Sequence, residues 1–412
     1  MKSPTIFISA GEASGEHYGA LLIDALTRQL AAAGQTAAFF GMGGERMVNS
    51  GLERIVRSED MAVMGITEVV RHLPRIYAEF RKLKQAVRNR RPDVAVLIDF
   101  PDIHLKLAEQ FHQLGVPVIF FVSPQLWAWK KRRINRVRKY VTRMLVIFPF
   151  EEPFYRERGV EAEFVGHPLA ELPLPAVSRE QFAEENGLDP ETTWIALLPG
   201  SRPKEIRGNL PEMLEAAWTL VERPRPGGRE YRFLLPLAPT LNAVQRAEVK
   251  ALLDKHGDGL PIMLVEDARA ALYHARASVV ASGTATVEAA LIGNPFVVVY
   301  RVSPLTYAIA KRVVTVPHVA MANLIAGKRV VPELIQNDFT AAKIVQQIER
   351  LLPDSAPRES MMKELKAVGS SLRSRQGGIT GESGGAVERV AAVTLELLGT
   401  AASAPQPSAV HS

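Results

Sequence analysis

Short apolar runs alternate with helix-like segments along the chain, in two series separated by a proline-rich stretch. Several runs lack alternating polar positions, as expected of parallel strands that helices cover on both faces. Two such series predict an α/β protein with two doubly wound, Rossmann-like domains. The predicted strands are 5–9, 37–40, 94–98, 118–121 and 144–147 in the first series, and 194–198, 232–235, 262–265, 277–281 and 296–300 in the second.

The proline-rich stretch from Gly166 to Pro175 predicts the boundary between the two domains, because proline and glycine interrupt regular structure. The final residues are rich in alanine, serine and proline, which predicts a disordered tail. We therefore expect an N-terminal domain at 1–170, a second domain at 171–345, C-terminal helices at 346–399 and the tail at 400–412.

Composition excludes several classes of protein. The 412 residues suffice for about two domains, and the absence of cysteine excludes disulfides and thiolate metal sites. The apolar run at the N-terminus is too short for a signal peptide. No apolar stretch approaches the roughly 20 residues that span a bilayer, so the sequence predicts a soluble, cytoplasmic protein.

The net charge of +6 is unevenly distributed along the chain. Eight Lys and Arg residues and no acid lie between Lys130 and Arg143. A local basic patch of this kind favours phosphates or an anionic lipid surface as the partner. The patch lacks the alternating aromatic platforms that are typical of RNA binding, so we expect no nucleic-acid partner.

The segment Ser282–Glu288 joins a predicted strand to a predicted helix and is built of small, hydroxyl-bearing residues. Because no bulky side chain blocks the approach, Gly283, Thr284 and Thr286 can present a helix N-terminus to a phosphate. Glu288 lies one turn further in, where a carboxylate can accept hydrogen bonds from a ribose diol. The alternative is an ordinary strand–turn–helix joint with capping hydroxyls.

Two further segments of the second domain contain candidate phosphate ligands. After the predicted strand 194–198, Ser201 can donate a hydrogen bond and Arg202 can contact a phosphate through two N–H groups. Alternatively, Arg202 is a surface residue on a turn. Asn323 either donates to a phosphate or sugar, or caps a helix.

Two carboxylates follow an apolar strand in the first domain. Asp99 comes directly after the predicted strand 94–98, and ligand crevices in doubly wound sheets lie outside such strand ends. Desolvation there would let Asp99 act as a general base, whereas Asp102, after Pro101, is placed to cap the next helix. The spacing of the two carboxylates requires no metal ion.

The turn after the first strand contains Ser14, Gly15 and Glu16. Its spacing differs from that of a dinucleotide-binding loop, and carboxylates are poor neighbours for a pyrophosphate. It favours a site for sugar hydroxyls, or alternatively a tight turn with Glu16 as an acid of the first helical turn. Trp127 offers either an apolar wall for a sugar or acyl chain, or ordinary packing under a loop.

An amphipathic segment of the first domain combines apolar residues with a following run of cations. Apolar residues beside basic ones suit docking on an anionic membrane surface. The alternative is a helix that packs on the sheet. The residues predicted to face a membrane are Ile66, Val69, Val70, Leu73, Arg81 and Lys82.

Together these segments resemble the lipid-A-disaccharide synthase family, whose motifs occur here in family order from near the N-terminus to about residue 340. The resemblance implies the GT-B architecture, in which two Rossmann-like domains face a central cleft. It also implies that a C-terminal helix, 387–398, crosses back to the first domain. The matching stretches are 9–22, 41–44, 64–68, 92–102, 123–129, 166–168, 198–202, 281–291 and 323–327.

The resemblance implies an inverting glycosyl transfer without a cofactor. UDP-2,3-diacylglucosamine and 2,3-diacylglucosamine 1-phosphate would give a β(1→6) disaccharide 1-phosphate and UDP. Asp99 would be the base, and the enzyme would be peripheral on the cytoplasmic face of the inner membrane and a homodimer. UDP would contact Arg202, Ser201, Gly283, Thr284, Thr286, Glu288 and Asn323, and the acceptor sugar would contact Glu16, Ser14, Gly15, Asp102 and Trp127.

One departure from the family pattern concerns the acceptor side of this site. After Pro101–Asp102 many members have Phe-Asn, whereas this chain has Ile103 and His104, which puts any acceptor-binding role of that pair in doubt. Two other functions remain open from the residues alone. A UDP-N-acetylglucosamine 2-epimerase would share the sugar-nucleotide site, and a non-catalytic protein could bind anionic lipids through the basic segment.

Overall fold

A computed structural model describes residues 3–61, 66–128, 133–223, 228, 230–303, 306–307, 311–312, 316–373 and 385–403. The chain divides into two compact units: Met1–Pro168 with Arg373–Ser412 form unit 1, and Leu169–Leu372 form unit 2. Each unit contains one sheet of parallel strands with helices between them, which confirms the predicted α/β class.

Unit 1 is built on a sheet with the strand order β3-β2-β1-β4-β5-β6-β7. Its strands are β1 (Thr5–Ala10), β2 (Ala38–Gly43), β3 (Leu52–Arg57), β4 (Val94–Ile98), β5 (Val118–Phe121), β6 (Arg143–Val146) and β7 (Ala162–Phe164). Its helices are α1 (Ala13–Ala32), α2 (Glu45–Asn49), α3 (Ser58–Met61), α4 (Ile66–Arg90), α5 (Pro101–Gln113), α6 (Ile134–Tyr140), α7 (Glu151–Arg156) and, after unit 2 in the chain, α16 (Ala386–Ser403).

Unit 2 repeats the arrangement with the strand order β10-β9-β8-β11-β12-β13. Its strands are β8 (Thr193–Leu198), β9 (Tyr231–Pro236), β10 (Ile262–Val265), β11 (Ala277–Ala281), β12 (Phe296–Tyr300) and β13 (Glu333–Ile335). Its helices are α8 (Arg179–Asn186), α9 (Pro203–Glu222), α10 (Ala243–His256), α11 (Ala268–His274), α12 (Thr284–Ile292), α13 (Met321–Ala326), α14 (Ala341–Glu349) and α15 (Ala356–Ser371); 3₁₀ turns cover Pro168–Glu171 and Gln336–Asp338.

The strand order reverses once in each sheet. In unit 1, β1 pairs with β2 on one side and with β4 on the other. In unit 2, β8 pairs with β9 on one side and with β11 on the other. Such a switch point opens a crevice at the carboxyl ends of the two central strands, because the connecting helices leave to opposite sides.

Helix α16 returns to unit 1, as predicted for the C-terminal helix. It packs on α1 and β4, and its Glu388 pairs with Arg28 at 2.6 Å. Helix α15 instead packs on α12 and α13 of unit 2, so the expected segment 346–399 is divided after Leu372. Helix α16 continues through Ser403, into the range expected to be a tail, and residues 404–412 lie outside the described part.

The second half of α4 is an amphipathic helix that packs on the sheet. Leu83 and Val87 are fully buried in the core of unit 1, whereas Arg81 and Lys82 are exposed. The other predicted membrane-facing residues belong to α4, but their side chains lie outside the described part; they are Ile66, Val69, Val70 and Leu73. Among the described helices, none combines the length and apolar character needed to cross a bilayer.

Candidate active site

Several predicted site residues of each unit follow the central strands of its sheet. In unit 1, the turn that leads to Ser14 comes after β1 and Asp99 comes after β4; in unit 2, Arg202 comes after β8 and Gly283 after β11. All four positions therefore lie at the carboxyl ends of strands that flank a switch point. This is where doubly wound sheets bind their ligands.

Asp99 has an unusual backbone and a perturbed acidity. Its φ of 52° and the φ of 50° at Phe100 place two successive non-glycine residues in the left-handed region. Such residues cost about 1–2 kcal/mol each and are often found at functional sites. Burial, and secondarily the charge of Glu12, raise the pKa of Asp99 to about 6, while the Phe100 N–H opposes the rise.

Two buried side chains and one close packing contact support the turn at Asp99. His104 is fully buried, and its Nδ1 lies 2.6 Å from the Asp99 carbonyl oxygen while its Nε2 lies 2.8 Å from Ser9 Oγ. The ring of Phe100 rests on Gly11, where a Cβ would come within 2.3 Å of the ring. His104, at the position that departs from the family pattern, therefore supports the turn. Its side chain has no exposed surface that an acceptor sugar could contact.

The glycine-rich turn after β1 packs closely against its neighbours. Gly15 is buried, and a Cβ added there would lie 3.5 Å from the Ile98 side chain, which is an ordinary contact distance. Ser14 is half-buried. The Glu16 carboxylate accepts a hydrogen bond of 2.9 Å from the Arg46 N–H, and a Cβ on Gly44 would collide with it. Glu16 thus caps the start of α2, a contact that the sequence did not predict.

Asp102 and Trp127, two predicted acceptor ligands, occupy different environments. Asp102 is exposed and pairs with Arg133. Trp127 is only 8% exposed; its ring packs edge-on against Phe150, and its N–H donates to Glu151 at 2.9 Å. The prediction of a sugar-facing wall is therefore wrong for Trp127, because packing and a buried carboxylate occupy its indole.

Glu151 is a fully buried carboxyl group that the sequence analysis missed. It accepts hydrogen bonds from Trp127 and from the Phe148 N–H, and burial raises its pKa to about 7. The only local signal is its place at the start of α7, which is a common position for an acid. Its burial depends on packing that no local motif encodes.

In unit 2, the turn before α12 exposes a helix N-terminus. Gly283 has a φ of 147°, which favours glycine, and both Gly283 and Thr284 are exposed. Thr286 is fully buried, and its hydroxyl donates to the Gly283 carbonyl at 2.7 Å. The prediction of a direct UDP contact is therefore corrected for Thr286, since its hydroxyl stabilises the turn that Gly283 and Thr284 expose.

Glu288 lies one turn inside α12, with 23% of its side chain exposed. Burial raises its pKa; the charge of Arg269 opposes this rise, and that of Asp267 adds to it. Arg269 Nη1 lies 3.9 Å from Glu288 and has no hydrogen-bond partner within the described residues. Sequence reasoning missed Arg269, because only the packing of α11 on α12 brings the two side chains together.

Ser201 and Arg202 are exposed at the start of α9. Both contact Glu205: the Ser201 N–H donates to it at 3.2 Å, and Arg202 Nη1 lies 3.0 Å away. Gly200 has a φ of 120°, and a Cβ there would approach Glu205 to 2.5 Å. Glu205 was missed, although an acid in the first turn of a helix is a recognised signal.

Asn323 is fully buried, which contradicts its prediction as a UDP ligand. Its Oδ1 accepts from the N–H groups of Val330 and Val331 at 2.7 and 2.9 Å. Its Nδ2 donates to the Val331 carbonyl at 3.0 Å and to Glu333 at 2.8 Å. With its amide fully occupied, Asn323 fixes the chain between α13 and β13.

Comparison with proteins of known structure supports the GT-B fold. A calicheamicin glycosyltransferase, CalG4, superposes with a TM-score of 0.57 at 18% identity, over 98% of this chain and all of its own. A UDP-GlcNAc 2-epimerase from Neisseria meningitidis, bound to UDP-GlcNAc, has a TM-score of 0.59 at 13% identity, over 96% of this chain and all of its own. At these identities the likeness shows the fold alone.

Sequence comparison is more specific. The profile of the family described as lipid-A-disaccharide synthetase matches residues 6–378. A lipid-A-disaccharide synthase from Acidobacterium capsulatum is 60% identical over 405 residues, which are 96% of this chain and 97% of that protein. The chain therefore belongs to the lipid-A-disaccharide synthetase family.

Proposed function

We propose that this enzyme transfers 2,3-diacylglucosamine from its UDP conjugate to the 6-hydroxyl of 2,3-diacylglucosamine 1-phosphate, with inversion. Membership of the family makes the chain a glycosyltransferase of lipid A biosynthesis. The acceptor oxygen bonds to the anomeric carbon as the bond from that carbon to the UDP oxygen breaks. Asp99 takes the hydroxyl proton, and UDP leaves with the electron pair, so the products are the disaccharide 1-phosphate and UDP.

The environment of Asp99 is the observation that carries this proposal. A single displacement with inversion needs one base and no covalent nucleophile. With a pKa of about 6, Asp99 is mostly ionised at neutral pH and is still a stronger base than an ordinary aspartate. Its place after β4, at the switch point of unit 1, is where a bound hydroxyl is expected.

We assign stabilisation of the leaving group to unit 2. The exposed N-terminus of α12 at Gly283 and Thr284 presents backbone N–H groups and the positive end of the helix dipole. Arg202 adds a cation that must exchange its contact with Glu205 for one with a phosphate oxygen. Glu288, half-buried one turn deeper, accepts hydrogen bonds from the ribose hydroxyls.

The direct test is UDP release from the two diacylated substrates. Asp99→Asn removes the base without changing size, and we expect kcat to fall by about 100-fold or more. Near-normal turnover in this variant would refute the assignment of the base. Asp258→Ala, an exposed acid of unit 2, is the control for the loss of a carboxylate.

Glu288→Ala tests the ribose assignment separately. We expect UDP to bind about tenfold more weakly, the usual effect of losing hydrogen bonds to a charged group. Calorimetric titration of wild type and variant with UDP measures this difference. Unchanged affinity would contradict the role of Glu288 and leave that of Asp99 intact.

UDP-N-acetylglucosamine 2-epimerase, the other enzyme activity that the residues alone left open, is the second candidate. Incubation with UDP-N-acetylglucosamine, followed by a search for UDP-N-acetylmannosamine, separates the two. Formation of the epimer would favour the second candidate. Disaccharide formation from the diacylated pair would favour the first, and UDP release also distinguishes an enzyme from a protein that only binds anionic lipids.

We also propose peripheral attachment to the anionic, cytoplasmic face of the inner membrane, through the exposed side of α4. Arg81, Lys84 and Arg88 border a surface groove of about 470 Å³ together with Phe80 and Tyr77, which is 62% exposed. Cations beside an exposed aromatic ring, here Tyr77, favour anionic lipid headgroups. Substitution of Arg81 and Arg88 by Glu should reduce binding to phosphatidylglycerol vesicles and leave binding to neutral vesicles unchanged.

A homodimer that exchanges C-terminal segments completes the proposal. Helix α16 packs on α1 of its own chain, and the α16 of a second copy carries the same residues for this contact. Sedimentation equilibrium of the full chain measures the mass directly. A mass of one chain across the accessible concentration range would rule out the dimer.

A further inference from the structure

The turn that bears Asp99 is held by a relay from a neighbouring strand. Ser9, on β1, contacts His104 Nε2, and His104 Nδ1 contacts the carbonyl oxygen of Asp99. Ser9 and His104 are both fully buried, so neither reaches a substrate. The backbone N–H of His104 also donates to the Phe100 carbonyl at 3.1 Å, and one residue thus contacts both left-handed positions.

Chemistry fixes the direction of this relay. A carbonyl oxygen only accepts hydrogen bonds, so the proton of His104 lies on Nδ1 and is donated to Asp99. Burial lowers the pKa of His104 to about 4, so the ring is neutral and carries no second proton. Nε2 is therefore an acceptor, and the Ser9 hydroxyl donates to it.

This hydrogen bond opposes the strain in the turn. Two successive left-handed residues are unfavourable, and a relaxed backbone would rotate the Asp99 carboxylate away from its present position. The hydrogen bond of 2.6 Å between His104 Nδ1 and the Asp99 carbonyl oxygen, together with the packing of Phe100 on Gly11, stabilises the strained backbone. Since the imidazole is neutral, it fixes the direction of the carboxylate without adding a charge beside it.

We infer that His104 is a positioning residue that aims the Asp99 carboxylate through its main-chain carbonyl, with Ser9 selecting the imidazole tautomer. The inference rests on the proposed role of Asp99 as the base. It concerns the rate of the chemical step, because a reacting group displaced by about 1 Å can lower the rate about 100-fold. Binding of either substrate does not depend on the relay.

Two amide substitutions of His104 separate positioning from packing. In His104→Asn, Nδ2 takes the place of Nδ1 and keeps the donor to Asp99. In His104→Gln, the amide extends toward Ser9 and loses that donor. We expect His104→Gln and His104→Ala to lower kcat by about 10- to 100-fold, and His104→Asn to stay within about threefold of wild type.

Three further readouts identify the cause of any loss. KM for both substrates should change by less than about threefold, and the pH at which kcat/KM reaches half its plateau should not move, because the ring is neutral. Thermal unfolding of each variant shows how much is lost to folding. His112→Ala, an exposed histidine on the same helix α5, controls for the substitution itself.

The outcomes are distinguishable from failure of the proposed function. If His104→Ala retains wild-type kcat, or if His104→Asn falls as far as His104→Gln, the positioning role is refuted. If Asp99→Asn retains turnover, the base assignment fails instead, whatever the His104 variants do. Loss of kcat in Asp99→Asn, His104→Gln and His104→Ala, with recovery in His104→Asn, supports both.

Discussion

Burial gives three ionisable side chains of unit 1 properties that their residue types do not have in water. Asp99 and Glu151 have raised pKa values, and His104 has a lowered one. The sequence indicated Asp99 as the candidate base, because it follows an apolar strand. It could not reveal the roles of the other two, since the partner of His104, Ser9, is 95 residues away and Glu151 is buried by tertiary packing.

The pKa of Asp99 predicts the acid limb of the pH profile. The carboxylate must be ionised to accept a proton, so kcat/KM should reach half its plateau near pH 6 and level off above about pH 7. Glu12→Gln removes the negative charge that helps to raise this pKa, and the limb should move to lower pH. Initial rates between pH 4.5 and 8.5 measure both curves.

Glu59→Gln provides the matched control, because Glu59 is an exposed acid on α3 and does not contribute to the pKa of Asp99. Its profile should coincide with that of wild type. A limb that moves to higher pH in Glu12→Gln would contradict the electrostatic account, since removal of an anion can only favour ionisation of its neighbour.

At the scale of elements, the sequence predicted all the central strands and the edge strand β10, and it missed the three other edge strands. The ten predicted strands overlap observed ones, whereas β3, β7 and β13 were not predicted. All three lie at the margin of a sheet, where one side has no neighbouring strand. The missed strands carry charged residues, as in the Leu52–Arg57 strand, and therefore lack the continuous apolar pattern of buried parallel strands, which the edge strand β10 has.

The loop between α13 and β13 illustrates how a buried amide misleads sequence reasoning. An asparagine before a glycine turn can either bind a phosphate or fix the backbone of a loop, because both roles use the same amide hydrogen bonds. The exposure of the side chain decides between these two roles, and exposure depends on the surrounding fold. Asn323 is buried and fixes the loop backbone.

Asn323→Ala should therefore destabilise unit 2 and leave UDP binding intact. Two backbone N–H groups lose their acceptor, and we expect the free energy of unfolding to fall by about 3 kcal/mol. Denaturant unfolding measures the loss, and titration of the folded variant with UDP measures the affinity. Asn242→Ala, which removes an exposed helix cap, should cost only about 1 kcal/mol.

A UDP affinity that falls more than about fivefold in folded Asn323→Ala would restore the sequence-based assignment. Stability equal to that of wild type would contradict the role of Asn323 in fixing the loop between α13 and β13. These two results are independent of each other, because one is measured on the folded protein and the other across the unfolding transition.

At the scale of the whole molecule, unit 1 is discontinuous in sequence. Helix α16 follows all of unit 2 in the chain, yet it packs on α1 and β4 of unit 1. The family resemblance predicted this return. The apolar residues of α16 that are buried there include Val390, Ala391 and Val393.

A chain that ends at Leu372 should retain unit 2 and lose much of the stability of unit 1. The shorter chain no longer buries the apolar side chains of α16, so we expect the free energy of unfolding of unit 1 to fall by roughly 5 kcal/mol. Hydrogen exchange followed by mass spectrometry should show faster exchange in α1 and β4, with α9 and α12 unchanged. A chain that ends at Ser403 is the control, and equal protection of α1 in both chains would contradict the expectation.

The late position of α16 also sets an order of events during synthesis. The ribosome completes all the strands of unit 1, and then the whole of unit 2, before it releases the helix that covers β4. Unit 2 can therefore fold while unit 1 still exposes apolar surface on α1. Strand β4, which precedes Asp99, receives this cover only after unit 2 has been synthesised, so nascent chains lack the finished surroundings of the proposed proton acceptor even when unit 2 has formed.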